Sequence, residues 1–155
     1  MRPLFHTLAL LLVVAWTGSA LAGDVRQNLG PDGLALKGYD PVAYQTEGAA
    51  VPGKAAFTAT HDGATYRFAS AGNRDAFAAD PARYTPAFGG YCAMAMVFAK
   101  KVDTDPTAFR VVDGQLYLNF NQAVRDRWLQ DVPGNIAKAN ANWSVVADKP
   151  ASALQ

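Results

Sequence analysis

Two Asp-Gly dipeptides, Asp62-Gly63 and Asp113-Gly114, each stand between short stretches rich in aromatic and branched side chains, and they constrain the fold more than any other feature of the chain. Asp-Gly between alternating apolar residues marks a tight turn whose backbone twist matches that of paired antiparallel strands. The first hairpin is expected over residues 54–60 and 64–69, with His61 at the mouth of its turn, and the second over 109–112 and 115–120. Each hairpin is followed by a residue suited to capping a helix, Ser70 or Asn121. These predict helices over 71–79, closed by Asp80-Pro81 with a further turn to Tyr84, and over 121–130 with Val124, Trp128 and Leu129 on one face. Pro133 suits the opening of a last helix over 134–143, and the Asp40-Pro41 step reads as a short helical turn within 38–44. Residues 91–96 alternate small alanines with Cys92, Met94 and Met96, a period a strand would use; the helix propensity of Ala and Met behind Gly89-Gly90 favours a helix from about Tyr91. No internal repeat is evident beyond the two Asp-Gly hairpins. The sum is a single small α+β domain, two short β-hairpins packed with three or four helices, over residues 34–143. An irregular lead-in over 23–33 precedes it and a loosely held tail over 144–155 follows.

Residues 1–22 have the layout of an export signal: Arg2, an unbroken apolar run over 8–16, and Ala20-Leu21-Ala22 with small residues where a signal peptidase inspects the chain. The run is shorter than the ~20 residues a membrane span needs. Cleavage after Ala22 is expected, giving a periplasmic or secreted protein with no membrane association once processed. Loss of Arg2 reduces 14 basic side chains to 13, against 13 acidic ones, so the mature charge is zero. That balance offers no electrostatic footprint for nucleic acid or anionic lipid. Cys92 is the sole cysteine, which excludes an internal disulfide. With the signal removed, His61, Cys92, Met94 and Met96 are the complete set of soft side-chain ligands, too few cysteines for a cysteine-rich four-ligand zinc site.

The run His61-x-Gly63-x-x-Tyr66-x-Phe68-x-Ser70, then Asn73-x-x-x-Phe77-x-x-Asp80-Pro81-x-x-Tyr84, then Gly89-Gly90-Tyr91-Cys92-Ala93 resembles the YHS domain. Upstream Gly38-Tyr39-Asp40-Pro41-Val42-Ala43-Tyr44, and downstream Asp113-Gly114 to Asn121 and Trp128 to Trp143, are similar to exported bacterial YHS-domain proteins. The resemblance implies metal handling, because YHS and related domains are attached to heavy-metal transporters and metal-responsive proteins. It also implies redox or ligand chemistry at Cys92, because some relatives carry selenocysteine there. Metal-linked members carry Phe-Cys-Ser-x-x-Cys where this chain reads Phe68-Ala69-Ser70-Ala71-Gly72-Asn73, so a metal site here falls to His61 and Cys92.

Cys92, behind two glycines at a helix entry, is expected to have a lowered pKa from unpaired backbone N–H groups. Thiolate and imidazole are both soft enough to hold copper(I), with zinc second, so Cys92 and His61 compose a candidate metal site; they equally compose a thiolate–imidazolium pair. Met94 and Met96 read as additional copper ligands or as flexible core fillers. Tyr39, Tyr44, Tyr66 and Tyr91 supply core area and are candidate walls of a pocket at Cys92. Asp40, Asp62 and Asp80 stand where a carboxylate accepts turn hydrogen bonds. No paired-carboxylate, Ser/His/Asp or phosphate-cradling arrangement is present, which argues against hydrolase and nucleotide-binding functions. Three functions remain: an exported binding module holding copper or zinc; a thiol redox enzyme with Cys92 as nucleophile, acting on peroxide or a small thiol; and an adaptor domain with an inert thiol. The sequence names no protein partner.

Overall fold

The computed structural model describes residues 23–154; the expected export signal lies outside the described residues. A short helix α1 (Gly23–Arg26) leads through 3-10 turns at Pro31–Gly33 and Leu36–Gly38 to α2 (Ala43–Thr46). Next come β1 (Lys54–His61), β2 (Ala64–Phe68), α3 (Ala71–Ala79) and α4 (Pro81–Tyr84). A 3-10 turn at Ala87–Gly90 precedes α5 (Ala93–Met96), followed by β3 (Asp105–Val112), β4 (Gln115–Asn119), α6 (Gln122–Trp128) and α7 (Val132–Val146). This is the expected α+β architecture of two antiparallel hairpins packed with helices. Among the described residues no helix is long and apolar enough to cross a membrane.

Both hairpin turns carry positive φ at Asp and Gly, 48° and 79° at Asp62-Gly63 and 50° and 78° at Asp113-Gly114, the conformation whose twist suits antiparallel strands. A Cβ built on either glycine meets nothing within 4 Å, so a side chain there costs backbone strain and no packing. Gly63→Val and Gly114→Val should each destabilise by about 1–2 kcal/mol in urea unfolding. Wild-type stability of both variants would contradict the turn geometry. Ser70 and Asn121 cap α3 and α6 as their residue types predict, accepting from the Asn73 and Val124 N–H at 3.1 and 2.9 Å.

The two halves repeat one another at a constant spacing, which corrects the expectation that only the Asp-Gly turns recur. β1 and β3 start at 54 and 105, β2 and β4 at 64 and 115, α3 and α6 at 71 and 122. The strand register breaks at the same place in both hairpins, between Lys54 and Thr58 and between Asp105 and Phe109. Ahead of each hairpin a segment adds one parallel bridge, Leu34 to Thr65 and Pro86 to Leu116. Three successive residues then take positive φ, Leu36-Lys37-Gly38 and Phe88-Gly89-Gly90, and lead into a tyrosine. The residue after that tyrosine is Asp40 in the first unit and Cys92 in the second. Each donates its own N–H to a returning carbonyl, Val51 at 2.8 Å and Val102 at 2.9 Å.

β4 separates two cores because successive side chains on a strand face opposite ways. Leu116 and Leu118 join Val42, Tyr44, Phe68 and Phe77; Tyr117 joins Phe88, Met96 and Trp128 on the other side. Leu129, expected on the apolar face with Trp128, is exposed. The segment expected as an irregular lead-in is tied to the domain. Asn28 N–H donates to the Gly89 carbonyl at 2.8 Å, and Gly89 lies so close to the Arg26 backbone that a Cβ would collide with it. The tail is tied too: α7 extends to Val146, and the Lys101 ammonium donates to the carbonyls of Val25, Ala147 and Lys149 at 2.6–2.7 Å.

Candidate functional site

Cys92 is 1% exposed and sits as the residue before α5, where its sulfur receives the Ala95 N–H at 3.5 Å. Burial pushes the thiol up from its ordinary pKa, while the backbone N–H groups of Ala95, Phe120 and Met94 pull it part of the way back. The expected lowering is therefore reversed. α5 is a single turn, and desolvation of a buried anion outweighs three amide dipoles. The thiol points at Asn119, whose Oδ1 lies 3.9 Å from Sγ and accepts the Met94 N–H at 3.2 Å. Asn119 is fully buried, and its Nδ2 has no hydrogen-bond partner; among the described residues it shares that condition only with Trp128 Nε1.

Asp40, in the equivalent place of the first unit, is fully buried as well. Its Oδ1 accepts the Val42 N–H at 2.9 Å and the Ala43 N–H at 3.4 Å; its Oδ2 accepts the Ala69 N–H at 2.8 Å and Asn73 Nδ2 at 2.6 Å. Val42 and Ala43 stand two and three residues beyond Asp40, as Met94 and Ala95 stand beyond Cys92. Ala69 and Phe120 each follow the last residue of the second hairpin strand. The three matching backbone N–H groups all donate to the carboxylate in the first unit; in the second the Ala95 N–H reaches the sulfur while the Met94 N–H donates to Asn119 Oδ1. The sequence reading of Asp40 as a turn carboxylate fits these bonds, but the carboxylate also reaches across to the β2–α3 junction.

His61 closes β1 in the first unit. Its Nε2 stands 3.3 Å from Asp62 Oδ2, and its ring meets Phe77 edge-on at 6.0 Å. It faces a cleft of about 320 Å³ together with Arg26, Tyr66 and Trp143. Cys92 belongs to the second unit, and among the described residues no hydrogen bond, ion pair or ring contact joins it to His61. No group of three or more His, Cys, Asp or Glu side chains is gathered at metal-binding distances among the described residues. Met96 is fully buried in the second core and Met94 packs half-buried against it. The tyrosines occupy four settings. Tyr39 packs on the first core, and the buried Tyr44 hydroxyl donates to the Pro106 carbonyl at 2.9 Å. Tyr66 lines the His61 cleft, where burial first and the Asp62 charge second push its hydroxyl up to about 12. The Tyr91 hydroxyl donates to the Gln27 carbonyl at 3.2 Å.

Sequence reasoning missed Asn119 and Lys101. Asn119 interrupts the otherwise apolar run Leu116-Tyr117-Leu118, and a carboxamide inside a buried strand is a signal that could have been read. Lys101 is 3% exposed, with its ammonium 5.2 and 5.3 Å from the ring centres of Tyr91 and Trp143. A lone lysine in a loop carries no comparable signal. Comparison with protein-family models, curated proteins and solved structures gives no match for this chain.

Proposed function

We propose that this is an exported thiol redox protein in which Cys92 is the reacting nucleophile and a hydroperoxide is the oxidant. The supporting observation is the seat of the sulfur: the Ala95 N–H at 3.5 Å and a buried carboxamide at 3.9 Å meet it, in the place where the first unit holds a carboxylate. An inert thiol used as an apolar filler has no need of such donors. The resemblance to proteins carrying selenocysteine at this position points the same way. In the reaction the thiolate attacks the O–O bond, one oxygen passes to sulfur, and the hydroperoxide leaves as an alcohol or water. Because Cys92 is the sole cysteine, the sulfenic acid is resolved by a small external thiol. That thiol forms a mixed disulfide with loss of water, and a second thiol regenerates Cys92. The resting thiol is buried and held protonated, so attack requires the seat to open. His61, set in the other unit, has no part in this reading.

The test is peroxide treatment of the folded, reduced protein followed by dimedone trapping and mass measurement. One adduct at Cys92, abolished in Cys92→Ser and unchanged in rate in His61→Ala, is expected. A thiol that reacts only after unfolding sinks the proposal. One-to-one copper(I) binding lost in both variants would transfer support to the metal-holding reading. Alkylation of the native thiol should stay slow at neutral pH and continue to climb above the ordinary thiol range of about 8.5, because burial raises the pKa. A rate already level at pH 8 would contradict the buried seat.

A further inference from the structure

We infer that the Cys92 seat is built to hold a carboxylate-type anion, and that its occupant in the oxidised protein is the Cys92 sulfinate. The inference rests on the thiol redox reading and extends it to a second oxygen transfer. A sulfinate has two oxygens on one atom and a single negative charge, as a carboxylate has. The first unit shows what the repeated backbone of this seat does with such a group: the N–H groups of Val42, Ala43 and Ala69 all donate to Asp40. In the second unit the equivalent donors are Met94, Ala95 and Phe120.

The reduced seat is underused. The Ala95 N–H reaches the sulfur at 3.5 Å, and the Met94 N–H is diverted to Asn119 Oδ1 because a thiol is a weak acceptor. Asn119 Nδ2, the buried donor of the carboxamide whose Oδ1 faces the sulfur, donates to nothing. An oxyanion on the sulfur removes the thiol proton that now faces Oδ1. The carboxamide then turns its Nδ2 to the new oxygen, as Asn73 Nδ2 does to Asp40 at 2.6 Å, and the Met94 N–H is released to take the role of Val42. Burial in apolar surroundings leaves an unpartnered donor costly, so the oxidised seat satisfies what the reduced seat leaves open. The chemistry balances: Cys–SO⁻ takes one oxygen from a second hydroperoxide, sulfur loses two electrons to the breaking O–O bond, and an alcohol or water leaves.

Two measurements test this, and they separate the seat from the redox reading. Cys92→Asp should fold and melt at or above the temperature of Cys92→Ser, although an aspartate placed in an ordinary apolar interior would lower it severely. Peroxide-treated wild-type protein should gain two oxygens at Cys92 and melt roughly 3–5 °C higher than the reduced form. Cys92→Asp melting far below Cys92→Ser overturns the seat, whatever peroxide does. A stable Cys92→Asp with oxidation that stops at one oxygen overturns the sulfinate and leaves the redox reading standing. A stable Cys92→Asp with no oxidation of the native thiol overturns the redox reading and the sulfinate together.

Discussion

Asp40→Ala should lower the unfolding free energy by about 4 kcal/mol, a loss on the scale of removing a large core side chain. The carboxylate is fully buried and accepts from three backbone N–H groups and Asn73 Nδ2. Truncation leaves the buried Val42 and Ala43 donors and the part-buried Ala69 and Asn73 donors without this acceptor, and each fully buried donor without a partner costs about 1–3 kcal/mol before relaxation and water entry recover part of it. Asp40→Asn keeps the shape but directs an NH₂ group at donors, so it should recover less than half of the loss. Urea unfolding with an unchanged m value is the measurement, since a changed slope would report a different denatured ensemble and not a weaker seat. A loss below about 1 kcal/mol in Asp40→Ala would falsify the claim that these four bonds organise the first unit.

Lys101→Met is the second large effect, about 3 kcal/mol, and it is local to the chain ends. The ammonium has three protons and three carbonyl acceptors, from Val25, Ala147 and Lys149, with the rings of Tyr91 and Trp143 beside it. Methionine fills the same channel with apolar atoms and leaves those carbonyls without a donor. Burial lowers the pKa of the ammonium, the Asp148 charge partly restores it and the Arg26 charge adds to the lowering. The loss should appear together with faster amide exchange at Asn28 and Ala147, whose N–H groups bond to Gly89 and Trp143. Equal exchange at both positions in a destabilised Lys101→Met would refute the tie between the ends.

The hairpins, the caps at Ser70 and Asn121 and the helical character of α5 were legible because each is decided by a few neighbouring residues: an Asp-Gly pair, a hydroxyl or carboxamide before a helix, alanines behind a glycine pair. The repeat was not. It is preserved in backbone conformation, as positive φ over 36–38 and 88–90 and a shared register break, while the side chains at matching places diverge. Asp40 corresponds to Cys92, Ser70 to Asn121 and Phe77 to Trp128 in the two units. The surviving identities are few and scattered: the Asp-Gly turns, the buried Tyr66 and Tyr117, the Gly-Tyr steps at 38–39 and 90–91, and Arg74-Asp75 and Arg125-Asp126 with ion pairs of 2.8 Å each. The candidate site was half legible. Cys92 stood out as the only thiol, and its Ala95 partner is local, but Asn119 comes from β4, and a contact between segments so distant in sequence has no local signature. The pairing with His61 rested on proximity that chain spacing cannot supply.

The carbonyls of Val25, Ala147 and Lys149 all meet one ammonium, so the two ends of the described chain lie side by side. Their adjacency makes the molecule a natural subject for circular permutation: a short Gly/Ser linker joins the ends, and new termini open at Glu47-Gly48, an exposed loop where a Cβ on Gly48 meets nothing within 4 Å. The rearranged chain would begin with the first hairpin and close with the Asp40 segment. In it each anion seat, instead of being completed by strands that follow it, would be completed in one case by strands already made, which makes the order of synthesis a variable that can be set without changing a single contact.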